Sequence, residues 1–245
     1  MKSLTNPLVS IAAPAFNEAE CLRSVITAWA NFFREHGISG EIVICNDGST
    51  DGTKIVLETL SSELPMLRTI HFENNTGYGN ALSCAMDACN GTYILTMDSD
   101  GQSDISSLSE MLRIAQEQDL DAVLGCRIKK ADNFLPVFAD KCLRIAVWLL
   151  FFAHVKDPNC SMKLVRSDIL HKFKLESCGY SLASELVIKL LVHNAKVMDY
   201  STQNFKRKAG KSALNIPKVS LSTLYFFIYL RVRLFLFKHN IIKSF

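Results

Sequence analysis

The stretch Tyr93-Ile94-Leu95-Thr96-Met97-Asp98-Ser99-Asp100 decides the fold and points to the site. Its apolar run predicts a buried β-strand, and two acids follow that strand directly. Because side chains alternate along an extended chain, the carboxylates of Asp98 and Asp100 face the same way. Two like charges this close repel each other unless a cation or hydrogen-bond donors stabilise them. The stretch therefore predicts a site for a hard divalent cation, of the kind that holds a diphosphate, at the end of the strand.

On either side of this strand, short apolar runs alternate with segments of helical period. This alternation is typical of βαβ units and predicts an α/β fold with a largely parallel sheet. A helix is expected to begin near Glu18, and Ser49 or Thr50 is expected to cap the N-terminus of the next one. Further strands are predicted at residues 9–13, 41–45, 67–72 and 121–125, and further helices at residues 50–60, 77–89, 105–118 and 181–193.

Composition and charge narrow the class of protein. The 245 residues are 49% hydrophobic and 21% charged, as in an ordinary globular protein, and the net charge of +3 argues against a general nucleic-acid binder. The eight cysteines form no CxxC pair, so we expect reduced thiols and no zinc site. The first apolar run is too short for a signal peptide and is interrupted by Pro14, so we expect a cytoplasmic protein.

The last third of the chain is rich in Lys and Arg and contains an apolar, aromatic segment at residues 219–237. This segment approaches the length of a membrane span, but Arg231 and Arg233 would be costly in hydrocarbon. We therefore predict a helix that lies in the membrane interface. The domain prediction is one folded domain over residues 1–215 and an apolar, basic helical segment over residues 216–245.

Polar, turn-forming residues also follow the other predicted strands. Pro14, Asn17 and Glu18 come after the first strand, Asn46-Asp47 after the second, and Gly77 after the third. Taken one by one, these residues could be helix caps and ordinary turns. The two glycines of the third loop would let a ligand approach the backbone, but the third glycine of the dinucleotide fingerprint is missing, so we reject NAD and Walker-type ATP binding. Because the carboxyl ends of parallel strands meet at one edge of the sheet, the loops together predict a ligand site there.

Six segments of the chain form an ordered set. They are Pro14-Ala15-Phe16-Asn17-Glu18, Asn46-Asp47-Gly48-Ser49, Asn75-Thr76-Gly77-Tyr78-Gly79, Asp98-Ser99-Asp100-Gly101-Gln102, Gly125-Cys126-Arg127 and Arg207-Lys208-Ala209-Gly210-Lys211-Ser212. Taken in order, the segments resemble those of the family 2 inverting glycosyltransferases of the GT-A fold. The resemblance is strongest to the branch that contains dolichol-phosphate mannosyltransferase and bacterial polyprenyl-phosphate glycosyltransferases, and it covers about residues 8–212. It implies a Rossmann-like, mostly parallel central sheet flanked by helices, followed by the apolar interfacial helix.

The resemblance assigns the acid pair to the DxD motif of the family. It implies that Asp98 and Asp100 bind Mg²⁺ or Mn²⁺, with Asp100 as the more direct ligand. Gln102 would assist at the metal or at the diphosphate. The residues implied to neutralise the phosphates, or to lie in the same basic loop, are Arg127, Arg207, Lys211 and Ser212.

The resemblance also implies that the nucleotide lies along the first two loops. Pro14, Asn17 and Glu18 would line the nucleotide, with Glu18 near the ribose or the base. Asp47 would bind the base or the ribose. The family usually has an acid where this chain has Asn46, and because asparagine still forms hydrogen bonds, nucleotide binding is retained while the identity of the base stays open.

The resemblance implies the inverting transfer of a hexose from a GDP- or UDP-sugar to a polyprenyl or dolichyl lipid phosphate. A lipid monophosphate is largely deprotonated at neutral pH and could attack without a protein base. A glycan hydroxyl is a poorer nucleophile and would need a positioned carboxylate, for which Asp157 and Glu185 are the candidates. The simpler interpretations make Asp157 a turn residue before a proline and Glu185 an exposed acid on a helix face.

The acceptor and the partners follow from two apolar segments. Residues 143–155 and 219–237 favour a lipid acceptor and a peripheral position at the cytoplasmic face of a membrane. Both segments could instead be core helices or an interface between identical subunits. Two other functions stay open, namely a soluble family 2 enzyme that acts on a glycan hydroxyl and a non-catalytic nucleotide-sugar-binding protein.

Overall fold

The first half of the chain follows the predicted alternation of strands and helices. A computed structural model describes residues 6–128, 134–205 and 216–245. Each predicted strand and helix of this half is present, with bounds that differ by a few residues. The elements are β1 (Val9–Ala15), α1 (Ala19–Glu35), β2 (Gly40–Asn46), α2 (Thr53–Glu63), β3 (Leu67–His71), α3 (Tyr78–Asp87), β4 (Tyr93–Thr96), α4 (Ser107–Glu117) and β5 (Ala122–Arg127).

The second half contains two strands that the sequence does not predict, β6 and β7. β6 has four residues and begins with Lys163, a charged residue that is fully buried. β7 carries Asp199 and lacks a continuous apolar run. The elements are α5 (Phe134–Phe151), β6 (Lys163–Arg166), α6 (Ser167–Leu170), α7 (Leu182–Val192), β7 (Val197–Thr202) and α8 (Ile216–Lys238).

The seven strands form one sheet in the order β3-β2-β1-β4-β6-β5-β7. Neighbouring strands are parallel except around β6, which runs antiparallel to β4 and β5. The largely parallel sheet is therefore as predicted. The strand order reverses between β1 and β4, and at such a point the following loops separate and leave a crevice at the carboxyl edge.

Helices cover both faces of the sheet, and β1 is consequently buried along its whole length. One face packs against a cluster that includes the apolar side of α1. The other face packs against a second cluster that includes side chains of α3, α5, α7 and α8. The buried side of α1 includes Leu22, Val25, Ile26, Trp29, Phe32 and Phe33.

The C-terminal helix α8 packs along α5 through one buried stripe, formed by Thr223, Phe227, Leu230 and Leu234. Phe227, Leu230 and Leu234 belong to the second core cluster, so α8 is attached to the rest of the domain. Its outer surface exposes apolar side chains. Among the described residues, α8 is the one helix whose length and apolar character would suffice to cross a membrane.

Candidate functional site

The acid pair lies at the crevice between β1 and β4, where the strand order reverses. The hydroxyl of Ser99, between the two acids, donates to the carbonyl of Pro14 at 2.7 Å, which ties the loop after β4 to the end of β1. Asp98 is half-buried, and Asp100 is buried with 6% of its surface exposed. The structure therefore brings the predicted metal ligands together with the first loop.

The electrostatics of the pair suit a cation. Burial and, next, the charge of Asp100 raise the pKa of Asp98 to about 6. Within the described residues, no group of three or more His, Cys, Asp or Glu side chains could hold a metal. Two carboxylates at the mouth of a crevice fit a hard cation that takes its remaining ligands from phosphate and water.

The loop after β1 is fastened to the loop after β2. Asn17 has the left-handed φ of 56°, and its Oδ1 accepts a hydrogen bond from the amide of Thr50 at 2.9 Å. The amide of Glu18 donates to Oγ1 of Thr53 at 2.9 Å. The Asn17 side chain is exposed and that of Glu18 is partly buried, so both are at the surface of the crevice.

The loop after β2 is organised by Asn46. Its Oδ1 accepts hydrogen bonds from the amide and the hydroxyl of Ser49, and its Nδ2 lies 3.2 Å from Nδ1 of His71. The predicted cap of α2 by Ser49 or Thr50 is wrong, because Asp51 Oδ1 accepts from the amide of Thr53 instead. Asn46 thus ties the loop after β2 to Ser49 and to His71 of β3.

Asp47 is buried, with 2% of its surface exposed, and it joins the loops after β2 and β3. Its carboxylate accepts hydrogen bonds from the amide of Thr76 at 2.7 Å, from the Thr76 hydroxyl at 3.0 Å and from the amide of Gly77 at 3.0 Å. The predicted base-binding acid is therefore engaged with backbone amides in this structure.

The two glycines of the third loop make room for a segment of the protein that the sequence does not connect with them. A Cβ on Gly77 would lie 2.4 Å from the carbonyl oxygen of Cys178, and a Cβ on Gly79 would lie 2.1 Å from that of Ser177. Tyr78, between the glycines, donates from its hydroxyl to Oδ1 of Asp98 at 2.8 Å. Sequence reasoning missed Tyr78 because a tyrosine in a glycine-rich turn carries no distinctive signal.

Arg127, at the end of β5, is held by Asp157 in a two-point ion pair with distances of 2.7 and 2.8 Å. Asp157 is 4% exposed. Both carboxylate oxygens of this base candidate accept hydrogen bonds from the guanidinium, so the structure pairs Asp157 with Arg127.

Glu185, the second base candidate, is fully buried, so the simpler interpretation of an exposed helix-face acid is wrong. Its carboxylate accepts from the amides of Glu176 and Ser177 and lies 3.0 Å from the ammonium of Lys189. Burial raises the pKa of Glu185, although Lys189 and the amides oppose the shift. The spacing of an acid and a lysine four residues apart on an apolar helix is a signal that could have identified this pair.

Gln102, two residues after Asp100, is paired with Phe205. Gln102 accepts at its carbonyl from the amide of Phe205 at 2.8 Å, and its side-chain amide donates to the Phe205 carbonyl at 3.3 Å. The amide of Gln102 also donates to Oδ1 of Asp100 at 2.9 Å. The remaining predicted phosphate-binding residues lie outside the described residues, and they are Arg207, Lys211 and Ser212.

Known proteins share this sequence pattern. The family model described as glycosyl transferase family 2 matches residues 10–173. Dodecaprenyl-phosphate galacturonate synthase of Rhizobium johnstonii is 24% identical over 212 residues, which cover 86% of this chain and 62% of that protein. Dolichyl-phosphate beta-glucosyltransferase of Saccharomyces cerevisiae is 25% identical over 239 residues, covering 87% of this chain and 72% of that protein. The chain thus spans about three fifths to three quarters of these two relatives.

Solved structures share the fold. Glucosyl-3-phosphoglycerate synthase from Mycobacterium tuberculosis, in complex with Mn²⁺, UDP and phosphoglyceric acid, aligns with a TM-score of 0.73 at 16% identity over 92% of this chain and 78% of that one. Mannosyl-3-phosphoglycerate synthase from Rubrobacter xylanophilus aligns with a TM-score of 0.71 at 15% identity over 97% of this chain and 76% of that one. The predicted GT-A-like α/β fold is confirmed. Together with the family match over residues 10–173, it shows that the chain belongs to glycosyl transferase family 2.

Proposed function

We propose that the protein transfers a hexose, with inversion at the anomeric carbon, from a GDP- or UDP-sugar to a polyprenyl or dolichyl lipid phosphate. The observation that carries this proposal is the acid pair Asp98 and Asp100 at the crevice between β1 and β4, on the same sheet edge as Arg127. The carboxylates suit a metal-bound diphosphate, and the guanidinium suits phosphate oxygens. Relatives named for dodecaprenyl and dolichyl phosphates support the lipid acceptor.

A divalent metal ion, Mg²⁺ or Mn²⁺, is part of the proposal. Asp98 and Asp100 would hold it, with Gln102 beside them. The Mn²⁺ and UDP in the mycobacterial glucosyl-3-phosphoglycerate synthase support this assignment. When bound, the ion would supply positive charge to the diphosphate as the nucleotide departs. Arg127 would add a fixed positive charge, and Asp157 keeps its guanidinium in one orientation.

The state of the two base candidates supports a phosphate acceptor over a hydroxyl acceptor. Asp157 is paired with Arg127, and Glu185 is buried against backbone amides and Lys189. A lipid phosphate carries its own negative charge at neutral pH and does not need a base to become a nucleophile.

Exposed apolar side chains support an acceptor that is held in a membrane. Trp148 and Leu149 of α5 are exposed, and so is Phe152, which follows that helix. Tyr225 and Phe235 are exposed on α8, which packs against α5. We place the protein peripherally at the cytoplasmic face of a membrane, with this surface among the lipid headgroups.

A transfer assay on the purified full chain tests the function. Polyprenyl phosphate in detergent is offered with a panel of GDP- and UDP-sugars and either Mg²⁺ or Mn²⁺, and the lipid-linked sugar is detected by mass spectrometry. We expect product with at least one donor, and a loss of about 100-fold or more in kcat/KM in Asp100→Ala. Asp168→Asn, which changes an exposed acid beside Arg166, is the matched control and should keep full activity.

Three outcomes would contradict the proposal. Transfer to a glycan hydroxyl but not to the lipid phosphate would indicate the soluble family 2 alternative. Tight nucleotide binding with no transfer to any acceptor would indicate a binding protein. Undiminished activity in Asp100→Ala would remove the acid pair from the mechanism.

A further inference from the structure

One segment of the chain, Glu176–Tyr180, packs directly on the N-terminus of α3. The amide of Gly79 donates to the carbonyl of Cys178 at 2.9 Å. The two backbones lie so close together that a Cβ at position 77 or 79 would overlap a carbonyl oxygen of the segment. Gly77 also has a φ of 106°, which side chains rarely adopt. The glycine-rich turn is therefore shaped to receive this segment.

The contact continues through two aromatic rings to Asp98 of the acid pair. Tyr180 stacks on Tyr78, with ring centroids 5.0 Å apart and an interplanar angle of 24°. The Tyr78 hydroxyl donates to Oδ1 of Asp98 at 2.8 Å. A hydrogen bond from a rigid, stacked ring fixes the rotation of a carboxylate more strongly than one from a mobile chain. The orientation of Asp98 therefore depends on the position of Tyr78.

Buried ionic groups hold the segment from behind. The Glu185 carboxylate accepts from the amide of Glu176 at 2.9 Å and from that of Ser177 at 2.8 Å. Lys189 lies within 3.0 Å of Glu185 and 2.8 Å of Glu176. Glu185 and Lys189 are fully buried, so these groups stay together. The backbone that carries Tyr180 is consequently fixed to α7.

The same segment is attached to the C-terminal helix. The other carboxylate oxygen of Glu176 accepts from the hydroxyl of Tyr229 at 2.8 Å and from the guanidinium of Arg233 at 2.7 Å. Both partners lie on α8. The segment is thus held by α7 and α8 on one side, and on the other side it contacts Tyr78, which binds Asp98.

We propose that Tyr78 is a positioning residue for Asp98, and that the segment Glu176–Tyr180 holds Tyr78 against that carboxylate. The inference rests on the proposed function only in taking Asp98 as a ligand of the metal–nucleotide complex. It adds to the DxD motif a second, non-local set of residues that orients one of its acids. The contribution is to metal binding and not to acceptor binding.

Binding of Mn²⁺ in the presence of UDP or GDP, without any acceptor, tests the inference. The full chain is titrated by calorimetry. We expect Tyr78→Phe to weaken Mn²⁺ binding about tenfold, the size typical of losing one hydrogen bond to a charged group. Tyr225→Phe, which removes a phenol hydroxyl from an exposed position on α8, is the matched control and should bind like the parent.

A second variant tests the role of the segment. Tyr180→Ala removes the stacked ring, and we expect it to weaken Mn²⁺ binding in the same direction. If Tyr180 acts through Tyr78, the double variant should bind about as weakly as Tyr78→Phe alone. In transfer assays at saturating Mn²⁺, the KM for the lipid should be unchanged in both variants, whereas a direct acceptor contact would raise it.

The outcomes separate this inference from the proposed function. Parent-like Mn²⁺ affinity in a folded Tyr78→Phe, or fully additive losses in the double variant, would overturn the inference. If Tyr78→Phe does not fold, Tyr180→Ala decides alone, and parent-like Mn²⁺ affinity in it overturns the inference. If the parent binds Mn²⁺ with nucleotide but never transfers to a lipid phosphate, the proposed function fails and the inference is still decided by the variants. A parent without Mn²⁺-dependent nucleotide binding would overturn both.

Discussion

Arg127 and Asp157 form a two-point ion pair, with Nε 2.7 Å from Oδ2 and Nη2 2.8 Å from Oδ1. The two side chains are 18% and 3% exposed, so water screens the pair little. The backbone amide of Arg127 also donates to Oδ2 at 3.3 Å. Asp157 thus fixes both the backbone and the guanidinium of a residue at the carboxyl edge of the sheet.

Removal of this carboxylate should destabilise the protein. We expect Asp157→Ala to lower the free energy of unfolding by about 3 kcal/mol, because it removes the two-point ion pair of a largely buried guanidinium. Urea unfolding measures the change. The control is the exposed pair of Arg23 and Glu63, whose N–O distance is 2.8 Å and whose side chains are 52% and 48% exposed. Glu63→Ala should cost less than about 1 kcal/mol, and equal costs in the two variants would contradict the argument.

Glu185 should behave as a structural anchor and not as a base. Glu185→Gln removes the charge beside Lys189 but keeps an oxygen for the amide of Ser177, and we expect a loss of about 2 kcal/mol in the free energy of unfolding. The pH profile of kcat/KM should keep its shape. Glu110→Gln, on the exposed side of α4 beside Arg113, serves as the control. A Glu185→Gln protein that is as stable as the parent but has lost a limb of the pH profile would restore Glu185 as the base.

The strands that carry the site could be predicted because each is an apolar run that ends in turn-forming polar residues. β1, β2, β4 and β5 have this pattern, whereas Arg68 and Thr69 interrupt the apolar residues of β3. β6 could not be predicted because it is short and begins with Lys163, which is buried only because neighbouring strands surround it. Burial of that kind depends on the tertiary structure and leaves no local periodicity.

The edge of the sheet at which the polar loops meet could be predicted, but the direction of several side chains could not. Asp47 accepts from an amide 29 residues away, and Arg127 pairs with a carboxylate 30 residues away. A residue type after a strand does not tell whether its oxygen accepts from a ligand or from a distant amide. The contact of the glycine-rich turn with the segment Glu176–Tyr180 is likewise visible only in the folded chain.

The free energy of unfolding should depend on pH through His71, which contacts Asn46 at the start of the loop after β2. Burial lowers the pKa of His71 below its ordinary value of 6.5. The unfolded chain therefore takes up the proton at higher pH than the folded chain, and stability is present above pH 6.5 and falls as the pH drops below it. Protonation would also place a hydrogen on Nδ1 toward the side-chain amide of Asn46, whose oxygen is occupied by Ser49.

Replacement of the imidazole should remove this dependence. His71→Gln keeps an acceptor for the Asn46 amide and does not titrate, so we expect its free energy of unfolding to fall less than that of the parent between pH 7 and pH 5. Urea unfolding at several pH values measures the slope. His239→Gln changes an exposed histidine directly after α8 and should keep the parent's slope. An unchanged slope in His71→Gln would assign the pH dependence to other groups.

Membrane association should depend on the outer surface of α8. Tyr225, Val232 and Phe235 are 66%, 53% and 54% exposed, whereas the stripe on the opposite side is buried against the domain. Each of these side chains would gain on the order of 1 kcal/mol from partial burial among lipids. We expect the triple change to Ser to weaken binding to anionic vesicles about 100-fold, which sedimentation measures. Ile55→Ser, at an exposed position of α2 with 69% exposure, should leave binding unchanged.

Extraction of the vesicle-bound protein separates an α8 that lies in the interface from an α8 that spans the bilayer. An interfacial α8 keeps the stripe of Phe227, Leu230 and Leu234 on the domain, and alkaline carbonate should then release the parent protein from vesicles. An α8 that spans the bilayer would lose its packing on the domain and would resist carbonate extraction. In that case Phe227→Ala would leave the free energy of unfolding of the remaining domain unchanged. If α8 stays packed, Phe227→Ala should lower the free energy of unfolding by about 3–5 kcal/mol, because it opens a cavity in the core between α5 and α8.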